Sequence, residues 1–141
     1  MNRFNIRVYG ICINERREVL LSDEQFRERS FTKFPGGGLE FGEGMLECLK
    51  REFLEEFELE IQVNDLFYLT DFFQISAFSD NDQVISVYYN ITASTQVVDA
   101  LISAGTSKEK LKWVPLNALN PNHVTFPIDQ LVVSRIKENY R

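Results

Sequence analysis

Glu52, Glu55 and Glu56 fall at positions i, i+3 and i+4, which share one face of a helix. Two carboxylates about 5 Å apart repel by roughly 3 kcal/mol at an effective dielectric near 20. Glu55, Glu56 and Glu58 also crowd the C-terminal end of that helix, where the macrodipole disfavours anions by roughly 0.3–1 kcal/mol each. Six glutamates between Glu43 and Glu58 face two cations, Lys50 and Arg51. An exposed pair such as Glu47 with Arg51 returns only roughly 0.3–0.5 kcal/mol. Solvation and splayed side chains on a surface helix would relieve such a cluster. So would a hard divalent cation, because Mg²⁺ prefers oxygen ligands and keeps waters for phosphate substrates.

The residues before the helix bear on that choice. Pro35 precedes three glycines, Gly36, Gly37 and Gly38. A proline fixes one backbone angle and glycines open others, so this loop can lay its backbone against a ligand. After Gly42 the pattern turns helical, and Leu46, Leu49, Phe53 and Phe57 fall on one apolar stripe.

Gly37, five residues, Glu43, seven residues, then Arg51-Glu52-Phe53-Leu54-Glu55-Glu56 resembles the Nudix box, G-x5-E-x7-R-E-U-x-E-E-x-G-U, with U a bulky apolar residue. Leu59 fills the final apolar position, and Glu58 stands where the family has its last glycine. That departure touches the end of the helix rather than the carboxylates. A glycine there permits a left-handed turn; Glu58 must adopt the turn, at about 1 kcal/mol, or extend the helix.

The resemblance implies an α/β fold, a Nudix-type α/β/α sandwich with a central mixed sheet and the box at residues 37–59 as loop-helix-loop. It implies a metal-dependent hydrolase acting on a nucleoside diphosphate linked to another group. Glu52, Glu55 and Glu56, with the Gly37 carbonyl, would hold Mg²⁺ or Mn²⁺, and Arg51 would orient the glutamates by pairing with Glu43. The general base is Glu52 or a later carboxylate, with Asp80, Asp82, Asp99 and Glu109 as candidates. Dimers are common in the family, so a homodimer is an expectation without a legible interface.

At 141 residues the chain is one domain's worth, residues 1–141. Its hydrophobic and charged fractions, 44% and 26%, suit a soluble globular protein. A net charge of −6 argues against a nucleic-acid polymer as partner, which would need a basic stripe. It also requires local cations or metal to draw in an anionic nucleotide. The absence of a membrane-length apolar run and of a signal-peptide core points to a cytoplasmic protein. Cys12 and Cys48 lack metal or redox spacing and read as reduced, half-buried packing residues.

Residues 5–13 read as a central strand and Val19-Leu20-Leu21 as its hairpin partner, joined by a polar turn over 14–17. Arg7 and Tyr9 alternate onto one face, where they either meet substrate or serve as an ion-paired arginine and a core tyrosine. Residues 22–33 read as a polar loop whose Arg27, Arg29 and Lys33 could clasp a diphosphate, or lie exposed without a role. Residues 61–77 and 83–93 look like strands, with a turn at 79–82. Phe67, Tyr68, Phe72, Phe73, Tyr88 and Tyr89 read mainly as core, one or two of them suited to stack on a nucleobase. Residues 94–108 look like loop with a turn of helix, 111–114 a last short strand with Trp113 as a packing anchor, 120–122 loop, and 127–140 a closing helix. His123 is assigned no role.

Substrate class is narrowed by omissions. The proline of ADP-ribose hydrolases is missing near Gln74-Ile75-Ser76, and the later tyrosine of dinucleoside polyphosphate hydrolases and the NADH-type motif are absent. The paired glutamates favour attack at phosphorus over the chemistry of mannosyl hydrolases. A nucleoside triphosphate or nucleotide sugar remains. The competing readings are a Nudix-fold nucleotide sensor without turnover and an interaction module with no metal affinity.

Overall fold

The computed structural model describes residues 1–105 and 109–140. At the centre of one sheet, β1 (Arg3–Cys12) runs parallel to β6 (Asp82–Thr92), in register from Arg3 beside Asp82 to Cys12 beside Ile91. The short β4 (Gly36–Gly38) pairs antiparallel with β1, and β5 (Gln62–Leu69) pairs antiparallel with β6. A second, antiparallel sheet orders β3 (Arg29–Lys33), β2 (Glu18–Phe26) and β7 (Lys110–Pro115). Three α-helices among the described residues complete the molecule: α1 (Met45–Phe57), α2 (Thr95–Ala104) and α3 (Pro127–Asn139).

Strand alternation sorts the core into two layers. Tyr9 and Ile11 of β1, with Val19 and Leu21 of β2, pack against Ile128, Val132, Val133 and Ile136 of α3. Val8, Cys12 and Leu20, one position out of phase, pack against Leu49, Phe53 and Phe57 of α1 and Val98 of α2. The chain therefore forms the expected α/β/α sandwich around a mixed central sheet, with the glycine strand β4 on the α1 side. No helix among the described residues is long and apolar enough to cross a membrane.

Several elements differ from the sequence reading. β1 and β2 touch through a single bridge, Ile13 with Val19, and then diverge into different sheets. Asn14 closes their turn by accepting from the Arg16 and Glu18 amides, both at 3.0 Å, as an Asx turn does. Residues 22–33 form a hairpin rather than a loop, with Arg27 and Glu28 both left-handed at φ 51° and 65°. Two left-handed central residues match the twist of the strands, but the usual Asn-Gly signal is missing. Residues 70–81 are largely irregular rather than strand, pinned by a bridge from Ile75 to Gln83. Residues 94–108 contain a full helix, α2, capped by Ser94 and left-handed Gly105; positions 106–108 lie outside the described residues. Residues 121–123 form a 3-10 turn in which His123 Nδ1 accepts from the Asn120 amide.

Side chains are corrected too. The buried face of α1 is Cys48, Leu49, Phe53 and Phe57, and Leu46 is exposed. Cys12 and Cys48 are fully buried free thiols, and Phe72 and Phe73 are exposed rather than core. Glu58 takes the left-handed turn at φ 52°, and its amide donates to the Leu54 carbonyl, so the helix ends where a glycine would have ended it.

Candidate active site

The glycine loop enters the sheet as β4. At Gly36, φ is +150° and an added Cβ would lie 2.1 Å from the Val8 carbonyl oxygen, so the backbone itself demands glycine. At Gly37 the obstruction is a side chain. An added Cβ would stand 2.3 Å from Cδ of Glu52 and 2.4 and 2.6 Å from its oxygens. The Glu52 carboxylate thus lies directly on bare Gly37.

Arg51 organises the carboxylates around that contact. Its Nε and Nη2 donate to both oxygens of Glu43 at 2.9 and 2.7 Å, the pairing the resemblance implied. Nη1 donates to Glu52 at 3.1 Å and Glu55 at 3.2 Å, and Nη2 also donates to the Gly38 carbonyl at 3.1 Å. The planar fork suits such shared duty, which a lysine could not perform. Hydrogen bonding from Arg51, with the Glu40 amide, brings the Glu43 carboxyl down to about 2. Arg51 is itself raised, chiefly by Glu43.

Glu56 turns inward from the same helix. Among the described residues, its Oε2 is the buried side-chain oxygen or nitrogen without a hydrogen-bond partner. Burial pushes its pKa up to about 8, against the pull of Lys33 and with Glu24, Glu52 and Glu109 adding to the rise. An orphaned buried carboxylate is expensive, and without a cation the group instead keeps its proton toward about pH 8. No three acidic, imidazole or thiol groups among the described residues already converge as a cation site, because Arg51 holds Glu52 and Glu55 while Glu56 faces inward. The donor set nevertheless fits a hard divalent ion: carboxylate oxygens only, one of them unpartnered and buried, beside a glycine stripped of side chain.

A cavity of about 640 Å³ is lined by Arg7, Glu24, Lys33 and Glu109, whose charges act on Glu52 or Glu56, although none of the α1 carboxylates is on its wall. Arg7 lines it and donates to the Tyr9 hydroxyl at 3.1 Å; its charge acts on Glu52 as well as Glu24. Phe26, Phe31, Phe78 and Phe126 supply aromatic wall, linked by ring contacts of 5.2–5.9 Å. On its floor, buried Asp129 accepts from the Tyr88 hydroxyl, and burial raises the Asp129 carboxyl to about 6. A second cleft, about 550 Å³, is bordered by Glu55, Glu56 and Lys110.

The four basic candidates separate. Arg7 is in the cavity, and Arg27 sits at its mouth on the hairpin tip, 4.9 Å above the Phe26 ring. Arg29 is not on the cavity wall. It stacks 4.9 Å from Phe78 and donates to the Ala77 carbonyl, tying the hairpin to the 70–81 connection. Lys33 also borders the cavity but is buried rather than exposed, with its Nζ 3.0 Å from Glu24, which borders the cavity too. Among the carboxylates offered as a base, Asp82 is paired with Arg3 at 2.7 Å, and Asp99 with Arg16 and the Trp113 indole. Asp80 is exposed, whereas Glu109 lines the cavity and acts on Glu56. Glu24 and Asp129 were missed in the sequence, whereas Tyr88 was read among the core aromatics. Nothing local pairs Tyr88 with a residue 41 positions later.

The family model for the NUDIX domain matches residues 3–133. Among solved structures, the chain is similar to the ORF135 protein of E. coli, with TM-score 0.73 at 15% identity over 97% of this chain and 91% of that one. It is similar to the MutT protein of Methanosarcina mazei Go1, with TM-score 0.71 at 20% identity over 99% and 98%. The MutT protein of methicillin-resistant Staphylococcus aureus 252 gives TM-score 0.67 at 21% identity, covering 99% of each chain. Among curated proteins, none matches the chain in sequence.

Proposed function

The chain belongs to the Nudix family of hydrolases, and on that footing we propose that it is a divalent-metal-dependent pyrophosphohydrolase of a nucleoside triphosphate or nucleotide sugar. Nudix hydrolases generally use divalent metals. The observation that carries the reading is the unpartnered, buried Glu56 oxygen together with the Glu52 carboxylate seated on Gly37. Glu52, Glu55, Glu56 and the Gly37 carbonyl would hold Mg²⁺ or Mn²⁺. Bound there, the ion supplies charge neutralisation of the diphosphate and a lowered pKa for water.

The chain's own residues do the rest. Arg51 keeps Glu43, Glu52 and Glu55 from splaying apart and anchors them to the Gly38 carbonyl. Arg7 lines the cavity and its charge acts on Glu52 and Glu24, which suits a cation that orients phosphate oxygens. The four phenylalanines offer faces on which a base can stack, and Arg27 adds a cation to the same wall. Glu109, on the cavity wall with a charge that acts on Glu56, is our candidate to accept a proton from attacking water. Two buried free thiols suit a reducing, cytoplasmic setting.

The test is release of phosphate and nucleotide from nucleoside triphosphates, nucleotide sugars, ADP-ribose and dinucleoside polyphosphates with Mg²⁺ or Mn²⁺, beside Glu56→Gln. Turnover by the wild type alone supports the reading. Full metal-dependent activity in Glu56→Gln overturns the assignment of Glu56, and binding without turnover across the panel points to a sensor.

A further inference from the structure

Lys33 lies just before the glycine loop and is 4% exposed. An ammonium has three donors, and all three are accounted for. Its Nζ is 3.0 Å from Glu24 Oε2 and donates to the Phe34 carbonyl at 3.2 Å and the Gly36 carbonyl at 3.3 Å. Glu24 is fixed in turn, because the same oxygen accepts from the Ser22 hydroxyl at 3.1 Å. No donor of Lys33 is left for a phosphate, so the clasp expected from sequence does not apply to it.

Stability is a poor reason for such a pair, since buried ion pairs are often matched or bettered by apolar residues of similar volume. What the pair does is geometric. Lys33 grips the carbonyls on either side of Pro35, while the Pro35 carbonyl accepts from the Gly10 amide at 2.9 Å. Three successive carbonyls are thereby fixed on the approach to Gly37. Beyond it, the Gly38 carbonyl is held by Arg51 at 3.1 Å. The Gly37 peptide is therefore clamped from both sides, by Lys33 through Gly36 and by Arg51 through Gly38.

We infer that Lys33, braced by Glu24, is a positioning residue of the reaction: it sets the Gly37 peptide against Glu52 without touching substrate. This rests on the proposed metal-dependent hydrolysis, in which the Gly37 carbonyl and Glu52 are ligands. Partners of this kind, one step behind a ligand, typically govern about 10–100-fold in metal affinity or activity.

The experiment is calorimetric titration of Mn²⁺ into the wild type, Lys33→Met, the neutral pair Glu24→Gln/Lys33→Met, and Glu56→Gln, with kcat and KM on whichever nucleotide the wild type hydrolyses. Lys33→Met alone strands a buried carboxylate and can fail to fold; the double variant removes both charges and keeps the volume. The inference expects the double variant to melt close to the wild type, bind Mn²⁺ about tenfold or more weakly, and lose kcat by a similar factor with KM nearly unchanged. Wild-type Mn²⁺ affinity and kcat in a folded double variant would overturn it. So would a raised nucleotide KM with kcat and Mn²⁺ binding intact, which would make Lys33 a substrate contact. If Glu56→Gln binds Mn²⁺ as the wild type does, the ligand assignment falls; if only the double variant behaves as wild type, the inference alone falls.

Discussion

The Glu52 carboxylate occupies the space that a Cβ on Gly37 would need, 2.3 Å from its Cδ. A side-chain end can swing away from a new methyl group, whereas backbone cannot. Gly37→Ala should therefore keep its fold, with melting near that of the wild type, and lose about 100-fold in kcat, the effect of a displacement near 1 Å at a reacting centre. Gly36→Ala drives a methyl group into the Val8 carbonyl at φ +150° and should be visibly destabilised. Thermal melts and kcat for the two variants check both halves of the contrast.

Arg51 serves Glu43 through two bonds and Glu52, Glu55 and the Gly38 carbonyl through the remainder. Lysine keeps the charge but offers no planar fork. Arg51→Lys should cut kcat by about 10–100-fold. The Glu43 carboxyl, held near 2, should titrate closer to the ordinary range in the variant. A depressed carboxyl lends stability above its unfolded value and loses it as pH falls through the folded value, here down to about 2. Carbon NMR of the Glu43 carboxyl in both proteins reads this directly; an unchanged titration would remove Arg51 from its role.

Much of this centre was legible because each position in the box answers to its own constraint: glycine where a carboxylate must approach, glutamates on one helical face, arginine one residue before the first of them. The rest depended on contacts that sequence distance hides. Lys33 meets Glu24 across a hairpin whose turn, Arg27-Glu28, carries neither glycine nor asparagine. Leu46 fits the apolar period but lies outside the core, and Cys48 packs there instead, beneath the Gly38 carbonyl. α2 buries only Thr95 and Val98, too few to print a helical period, although Ser94 and Gly105 bracket it as caps. The sandwich itself was anticipated from the family pattern, while the division of its strands into two sheets follows from β1 and β2 parting after Ile13.

The Glu56 carboxyl, raised to about 8 by burial, gives the metal-free protein a pH signature. A group whose folded pKa lies above its unfolded value contributes stability that is complete below the unfolded value, about 4.3 for a glutamate. That stability disappears as pH rises through the folded value. Metal-free wild type should therefore weaken as pH rises toward about 8 and level off above it. Glu56→Gln lacks this decline. Allowing for solvent screening of a partly exposed group, the variant should exceed the wild type by about 1–2 kcal/mol at pH 9. Denaturant melts at pH 5 and 9 in the presence of a chelator measure the difference.

Two carboxylates outside α1 contrast: Asp99 ties three elements together, and Glu109 is the one proposed for proton transfer. Asp99 takes both guanidinium nitrogens of Arg16 at 3.0 and 3.1 Å and the Trp113 indole at 2.9 Å, joining α2 to β7 and to the turn after β1. Its Asn variant should lower the melting temperature and leave kcat within about twofold, as distant structural changes do. Glu109 lies on the cavity wall and its charge reaches Glu56; as the proposed proton acceptor, its Gln variant should lose rate, with a thermal melt separating that loss from any change in stability. A loss of about 10²–10⁴ in kcat is the range for a general base. Equal effects of the two substitutions on kcat would refute this division, and a full rate in Glu109→Gln would return the base to Glu52 on the helix itself.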